Sequence, residues 1–164
     1  MSGRDDARRQ LLADAGWSGA AEAPLPGDAS FRRYIRLRRS DDTALLMDSP
    51  PDREPVEPFL DIAARLRRLA APAVLAADAA LGFALLEDFG DETYARAMAD
   101  GAAAPPLYDR AIDVLIALRR ACAEDDAAVA DAPPYAADAM TAEARLFVDW
   151  WTPAAGAAAD VDAY

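Results

Sequence analysis

Apolar and polar positions change rhythm several times along the chain, and each change marks an element. Between Asp5 and Ala15 the apolar Leu11, Leu12 and Ala15 share one side and Gly16 follows, which predicts a short helix with a left-handed stop and Trp17 anchoring the turn. Pro24, Pro26 and Gly27 make residues 21–27 an extended or turning approach, with room for one more strand before Gly27. From Phe31 to Leu37 apolar and charged residues roughly alternate, with Phe31, Ile35 and Leu37 on one parity, as in a half-buried strand. Residues 39–42 read as the hairpin turn and Ala44 to Asp48 as the returning strand.

Pro50, Pro51, Pro55 and Pro58 interrupt regular structure until a helix begins near Val56 to Phe59. Its periodic set is Phe59, Ile62, Ala63, Leu66 and Leu69, with Arg65, Arg67 and Arg68 outside and Pro72 as terminator. Val74 to Ala77, a turn to Gly82, and Phe83 to Glu87 form a second hairpin whose last strand is continuously apolar and so belongs inside a sheet. Beyond Gly90 the rhythm is helical. Thr93 to Ala99 is short, and Pro106 to Cys122 is long, with Leu107, Ala111, Val114, Leu115 and Leu118 on its apolar face. A loop over Glu124 to Asp131 and Pro133-Pro134 precedes a helix from Ala137 to Trp151 with a heavily aromatic end. Pro153 to Tyr164 has no periodicity and is expected to be irregular, or the point where a longer chain was cut. The class is α+β.

Composition narrows the chemistry. The chain has 164 residues, 54% hydrophobic and 28% charged, enough for one good core or a lobe and the start of a second. No apolar run is long enough to span a membrane, and Met1 to Asp6 lacks the apolar core of a signal peptide, which points to the cytoplasm. Cys122 stands alone, and histidine is absent, which removes histidine bases and the commonest metal ligand. All 17 basic residues are arginine, a uniformity that fits GC-rich coding. A net charge of −12 argues against a broad nucleic-acid surface. Yet Arg32, Arg33, Arg36, Arg38 and Arg39 form a basic island that suits a small anionic ligand.

Two stretches could carry chemistry. Gly27-Asp28-Ala29-Ser30-Phe31-Arg32-Arg33 is a turn of small and polar residues that can present backbone N–H groups, a hydroxyl and guanidinium groups to a phosphate. By itself such a turn is more often a plain hairpin in which Gly27 permits a positive φ. Consecutive strand positions face opposite ways, so only one of Arg32 and Arg33 can readily face a ligand. At Glu87, Asp88 and Phe89 a buried strand breaks into a polar turn, where backbone groups can pair with the edge of a flat base; the alternative is an ordinary loop whose acids cap the next helix.

The wording and order of GDASFRRYIRL, ALLMDSPPDREPVEPFLDIAARL, FALLEDFGDETY, LYDRAIDVLIAL and EARLFVDWW resemble the aminoglycoside-phosphotransferase superfamily of kinase-like enzymes, and within it the bacterial anomeric amino-sugar kinases. The resemblance implies a protein-kinase-like N-terminal lobe, an antiparallel sheet plus one large helix, over residues 1–90 with a hinge at 87–91. The start of a helical acceptor lobe would follow over 91–152, and an irregular tail over 153–164. It implies ATP and Mg²⁺ between the lobes and a small-molecule sugar as acceptor, with no nucleic-acid or membrane partner. Residues 27–33 would cover the phosphates, and Glu87, Asp88 and Phe89 would contact adenine.

Two departures qualify the resemblance. Such folds place a lysine on the third strand, paired with a helix glutamate, but Met47 and Asp48 stand on the corresponding strand. Arg32 or Arg33, paired with Glu54 or Glu57, is the expected replacement. The family's His-x-Asp catalytic loop and its Asp-Phe-Gln-like metal segment are not among these residues. The metal ligands are therefore expected downstream, and these residues alone are expected to bind nucleotide without transferring phosphate, as a fragment of a longer enzyme. Glu143, Asp149 and Trp150 could lie toward the sugar, or form a solvated helix face with a core Trp. A non-catalytic nucleotide-binding or partner-binding module, and an interaction domain that docks an acidic partner, are the alternative readings.

Overall fold

Residues 3–27, 30–67, 71–124 and 135–157 are described by the computed structural model, and they fall into two compact units, Met1–Ala123 and Glu124–Tyr164. The first is built on a five-stranded antiparallel sheet in the order β1-β2-β3-β5-β4, where β1 is Ala21–Pro24, β2 Arg33–Arg39, β3 Asp42–Asp48, β4 Val74–Asp78 and β5 Phe83–Glu87. Both predicted hairpins form. The additional strand before Gly27 forms as well, and as an edge strand it tolerates Pro24 at its end. β5 lies inside the sheet, between β3 and β4, as its continuous apolar run requires.

β2 begins two residues later than its alternation suggests. The register pairs Arg33 with Asp48, the last residue of β3, so Phe31 has no cross-strand partner. Its N–H turns instead to the Glu54 carboxylate, and its ring is 54% exposed.

Side-chain parity divides the core between the two faces of the sheet. Leu37, Ala44, Leu46 and Leu85 pack on one face with Leu12 and Trp17, which belong to and follow α1 (Gly3–Asp14). Gly16, at φ 76°, supplies the predicted left-handed stop, and the Trp17 N–H donates to Leu12 O at 2.7 Å. Met47, Ala84 and Leu86 pack on the other face with Val56 and with Phe59 and Leu60 of α2 (Glu57–Leu66). Pro58 sits in the first turn of α2, where its missing N–H costs nothing. Of the apolar set foreseen for α2, Ile62 is exposed and Leu69 lies outside the described residues, as does Arg68 of the outer set.

Thr93 caps α3 (Tyr94–Ala99), accepting from the Arg96 N–H at 3.2 Å. α4 spans Ala104–Glu124; Leu107, Ala111 and Leu118 are half-buried, whereas Val114 and Leu115 are exposed among the described residues. The loop expected over residues 125–134 lies outside the described residues.

In the second unit the predicted helix from Ala137 to Trp151 divides. α5 (Ala137–Leu146) runs into a π-helical turn, Phe147–Trp151, and then α6, Thr152–Ala154. Thr152 donates its hydroxyl to Val148 O, a back-bond of the kind that distorts helices. Phe147 and Trp151 stack with centroids 4.7 Å apart. Pro153, foreseen as the start of an irregular tail, is part of α6, and residues 158–164 lie outside the description.

Candidate functional site

Ser30, Phe31 and Arg32 converge on one carboxylate. The Ser30 hydroxyl donates to Glu54 Oε2 at 2.7 Å and the Phe31 N–H to the same oxygen at 3.1 Å. Arg32 Nε stands 3.0 Å from Glu54 Oε1 as an ion pair whose N–H is not aimed at the oxygen. Ser30 Oγ also accepts from the Arg32 N–H at 3.0 Å, which closes a turn typical of serine. The Arg32 guanidinium lies 5.6 Å above the Phe59 ring, and that of Arg53 lies 4.5 Å from the centre of the Phe31 ring.

Glu54 is held by its own backbone. Its N–H donates to Pro50 O at 2.9 Å, and its carbonyl accepts from the buried Ser49 hydroxyl. Ser49 in turn donates its N–H to Gly82 O at 2.8 Å, so the β4–β5 turn supports the proline-rich segment that presents Glu54.

These contacts sort the predicted residues. Of the two candidate arginines it is Arg32 that meets a glutamate, and of the two glutamates it is Glu54; Glu57 is exposed in the first turn of α2, and Arg33 is exposed on β2. Gly27 is not among the glycines at positive φ, so the reading of it as a left-handed hairpin residue is corrected. Asp28 and Ala29 lie outside the described residues. Met47 is fully buried in the core on the α2 face. Asp48 pairs with Arg4 of α1 at 2.5 Å, and the same arginine donates to Leu81 O at 2.9 Å and covers the Phe83 ring. It thus ties α1 to the sheet.

At the end of β5 the segment foreseen as a hinge is braced from β2. Arg36, only 6% exposed, donates Nη2 to Asp88 Oδ1 at 3.0 Å and Nη1 to Asp91 Oδ2 at 2.7 Å, while its Nε stands 2.7 Å from Asp88 Oδ2 as an ion pair whose N–H is not aimed at the oxygen. Asp91 first and Asp88 second raise the Arg36 pKa above its ordinary value. Burial pushes the Asp88 carboxyl up, but the Gly90 N–H at 2.9 Å and the Arg36 guanidinium outweigh it and hold the group below the ordinary carboxylate value. Asp91 is held low chiefly by its hydrogen bond from Arg36.

The acids after β5 therefore pair with Arg36, and the cap of α3 falls to Thr93. Glu87 accepts from the Ala73 N–H at 3.0 Å and gives its own N–H to Ala73 O at 2.9 Å; Phe89 is 58% exposed. Sequence reasoning placed Arg36 only in a basic island. The available signal was its parity, shared with Tyr34 and opposed to Ile35 and Leu37 in a strand flanked by sheet.

In the second unit Glu143 accepts from the Tyr135 hydroxyl, which raises that tyrosine's pKa, and Trp150 in the π-helical turn is 74% exposed beside Asp149. Among the described residues no three Asp, Glu or Cys side chains stand close enough to hold a metal ion. No described helix is long and apolar enough to cross a membrane.

Comparison with known proteins places these observations in a family context. A model of the phosphotransferase enzyme family matches residues 22–163. An N-acetylmuramate/N-acetylglucosamine kinase of Pseudomonas aeruginosa is 36% identical over 152 residues, covering 90% of this chain and 43% of that protein. Proteins of the same name from Caulobacter vibrioides and Neisseria meningitidis are 38% and 36% identical, covering 73% and 76% of this chain and 41% and 37% of their own lengths. The chain thus spans less than half the length of these relatives.

Proposed function

The chain belongs to the phosphotransferase enzyme family, and from that membership we propose that it forms the ATP-binding part of a kinase that phosphorylates an amino sugar. The triphosphate lies at residues 27–33 and adenine lies against the backbone at 87–89. The acceptor is N-acetylmuramate or N-acetylglucosamine, a reading supported by the names of the relatives. ATP use is consistent with a cytoplasmic protein.

The observation that carries the nucleotide reading is the convergence of a hydroxyl, a backbone N–H and a guanidinium group on a single anion at the turn. That donor set fits a phosphate group. The reaction has an acceptor hydroxyl oxygen attack the γ-phosphorus while the bond to the bridging oxygen breaks; ADP leaves and the hydroxyl proton is lost. The share of it assigned to these residues is placement and charge neutralisation, which dominate phosphoryl transfer. Mg²⁺ accompanies such phosphates, and the described residues offer it no cluster of ligands. Glu143, Asp149 and the exposed indole of Trp150 supply hydrogen bonds and a stacking face to the sugar ring.

ATP should raise the melting temperature of the protein, and Ser30→Ala and Arg32→Ala should each remove most of that rise. No ATP-dependent shift, or a shift indifferent to both substitutions, overturns the assignment. For the acceptor, the protein as its gene encodes it should convert N-acetylmuramate or N-acetylglucosamine with ATP to the sugar 1-phosphate. Preferential phosphorylation of an aminoglycoside would reject that choice.

A further inference from the structure

Two hydrogen-bond donors and one guanidinium charge of the turn meet one carboxylate, and this is more than a glutamate needs in order to steady an arginine. A positioning glutamate would engage Arg32 alone. Glu54 also takes the Ser30 hydroxyl at 2.7 Å and the Phe31 N–H at 3.1 Å, both on Oε2, while Arg32 Nε stands 3.0 Å from Oε1. A carboxylate and a pair of non-bridging phosphate oxygens present the same thing to such donors: two adjacent acceptors carrying negative charge.

We propose that Glu54 is an internal anion that holds the turn's donors in the absence of ligand, and that a phosphate group of the nucleotide exchanges with its carboxylate. The inference rests on the nucleotide reading for the identity of the ligand, and on the geometry for the exchange. The backbone of Glu54 is tied down through Pro50 O and the Ser49 hydroxyl, so the exchange is a side-chain rotation, with no rearrangement of the segment. Both side chains of the pair are partly open to solvent, at 24% for Arg32 and 28% for Glu54, so an ion can reach the donors and the displaced carboxylate can be hydrated.

Electrostatics compels the exchange. A phosphate that reached Ser30, Phe31 and Arg32 with Glu54 still in place would put two anions within a few ångströms of each other in a partly desolvated site. One of them must leave. Before ligand arrives, the carboxylate holds the turn in the arrangement a phosphate requires, and its charge raises the concentration of anion needed to occupy the site.

Equilibrium binding of sodium tripolyphosphate, ATP and adenosine to the parent chain, Glu54→Gln and Ser30→Ala/Glu54→Gln tests this. Glu54→Gln retains an acceptor and removes the charge, and it should bind tripolyphosphate and ATP about fivefold more tightly than the parent, with adenosine unchanged. The double variant should lose that gain. Equal or weaker anion binding by Glu54→Gln overturns the proposal and restores a positioning glutamate. Should that variant fold poorly, the parent itself answers: the Glu54 side-chain carboxyl carbon and the Phe31 amide should shift together as tripolyphosphate saturates the site, and the absence of any shift at saturation overturns the exchange. Tripolyphosphate binding that follows Glu54, with ATP no tighter than tripolyphosphate, supports the exchange and rejects the nucleotide reading; tight ATP binding that Glu54→Gln weakens does the reverse.

Discussion

Arg36, in the middle of β2, is paired with Asp88, just beyond the end of β5, through a hydrogen bond at 3.0 Å and an ion-pair approach of 2.7 Å, although β3 lies between their strands. Side-chain exposures of 7% and 2% make this pair part of the interior. Asp91, 61% exposed, takes the third nitrogen. The segment that follows the sheet is therefore fixed by a side chain as well as by its own backbone.

Removing the cation alone should be costly, because it leaves Asp88 buried and charged. Arg36→Met should lower stability by about 2–3 kcal/mol, less than for a fully enclosed pair since the Asp91 end is open to water. Asp88→Asn in the same background should recover part of the loss. Urea midpoints of the single and double variants measure the coupling, and strictly additive losses would show that the pair is not coupled.

Acid should weaken the same clamp. The Asp88 carboxyl is held below its ordinary value of 3.8, so the ion pair contributes stability that is present above that pH and is lost as pH falls through the lower folded-state value. Asp91 adds in the same direction. The stability difference between the parent and Asp88→Asn should be constant from pH 7 down to about 5 and shrink below about 4. A difference that stays constant into that acid range would show that Asp88 keeps its ordinary affinity for protons.

Gly82 admits no side chain. Its φ is 72°, and a Cβ there would stand 1.9 Å from Ser49 O. Gly82→Ala should destabilise by about 3 kcal/mol or more, through backbone strain and the clash together. Because Ser49 supports the Glu54 carbonyl, the substitution should also loosen the hold of Glu54 on the turn and change anion binding. Denaturation midpoints and tripolyphosphate titration check the two effects separately.

Neighbouring candidates should separate cleanly. Glu57→Ala and Arg33→Ala change exposed side chains and should stay within about 0.5 kcal/mol of the parent, with ATP binding altered less than about twofold. Arg32→Ala should weaken ATP binding more than about tenfold. Isothermal titration of the three proteins decides it, and equal losses from Arg32→Ala and Arg33→Ala would contradict the one-sided turn.

Local pattern determined much of this chain. Gly16 ends α1, Thr93 starts α3, and both hairpins and α2 stand where alternation, turn residues and prolines put them, because these signals act over a few adjacent residues. The family likeness was legible for the same reason, in short contiguous runs. Alternation also set Arg32 apart from Arg33 in the sequence, although Arg32 lies just before β2 and its direction comes from the turn.

Tertiary structure decided which partner each side chain found. Arg32 and Glu54 are 22 positions apart, and only the Pro50 turn, braced by Ser49 on Gly82, brings Glu54 to the hairpin in preference to Glu57. Phe31 left the predicted strand because β3 ends at Asp48, opposite Arg33. Arg36 and Asp88 lie 52 positions apart, and a guanidinium on the buried parity of a strand is stable only once the sheet has placed a carboxylate there. Periodicity assigns a residue to a face; the long-range register of the strands assigns its partner, and at Ser30, Arg32 and Glu54 the partner is what makes the turn a candidate site.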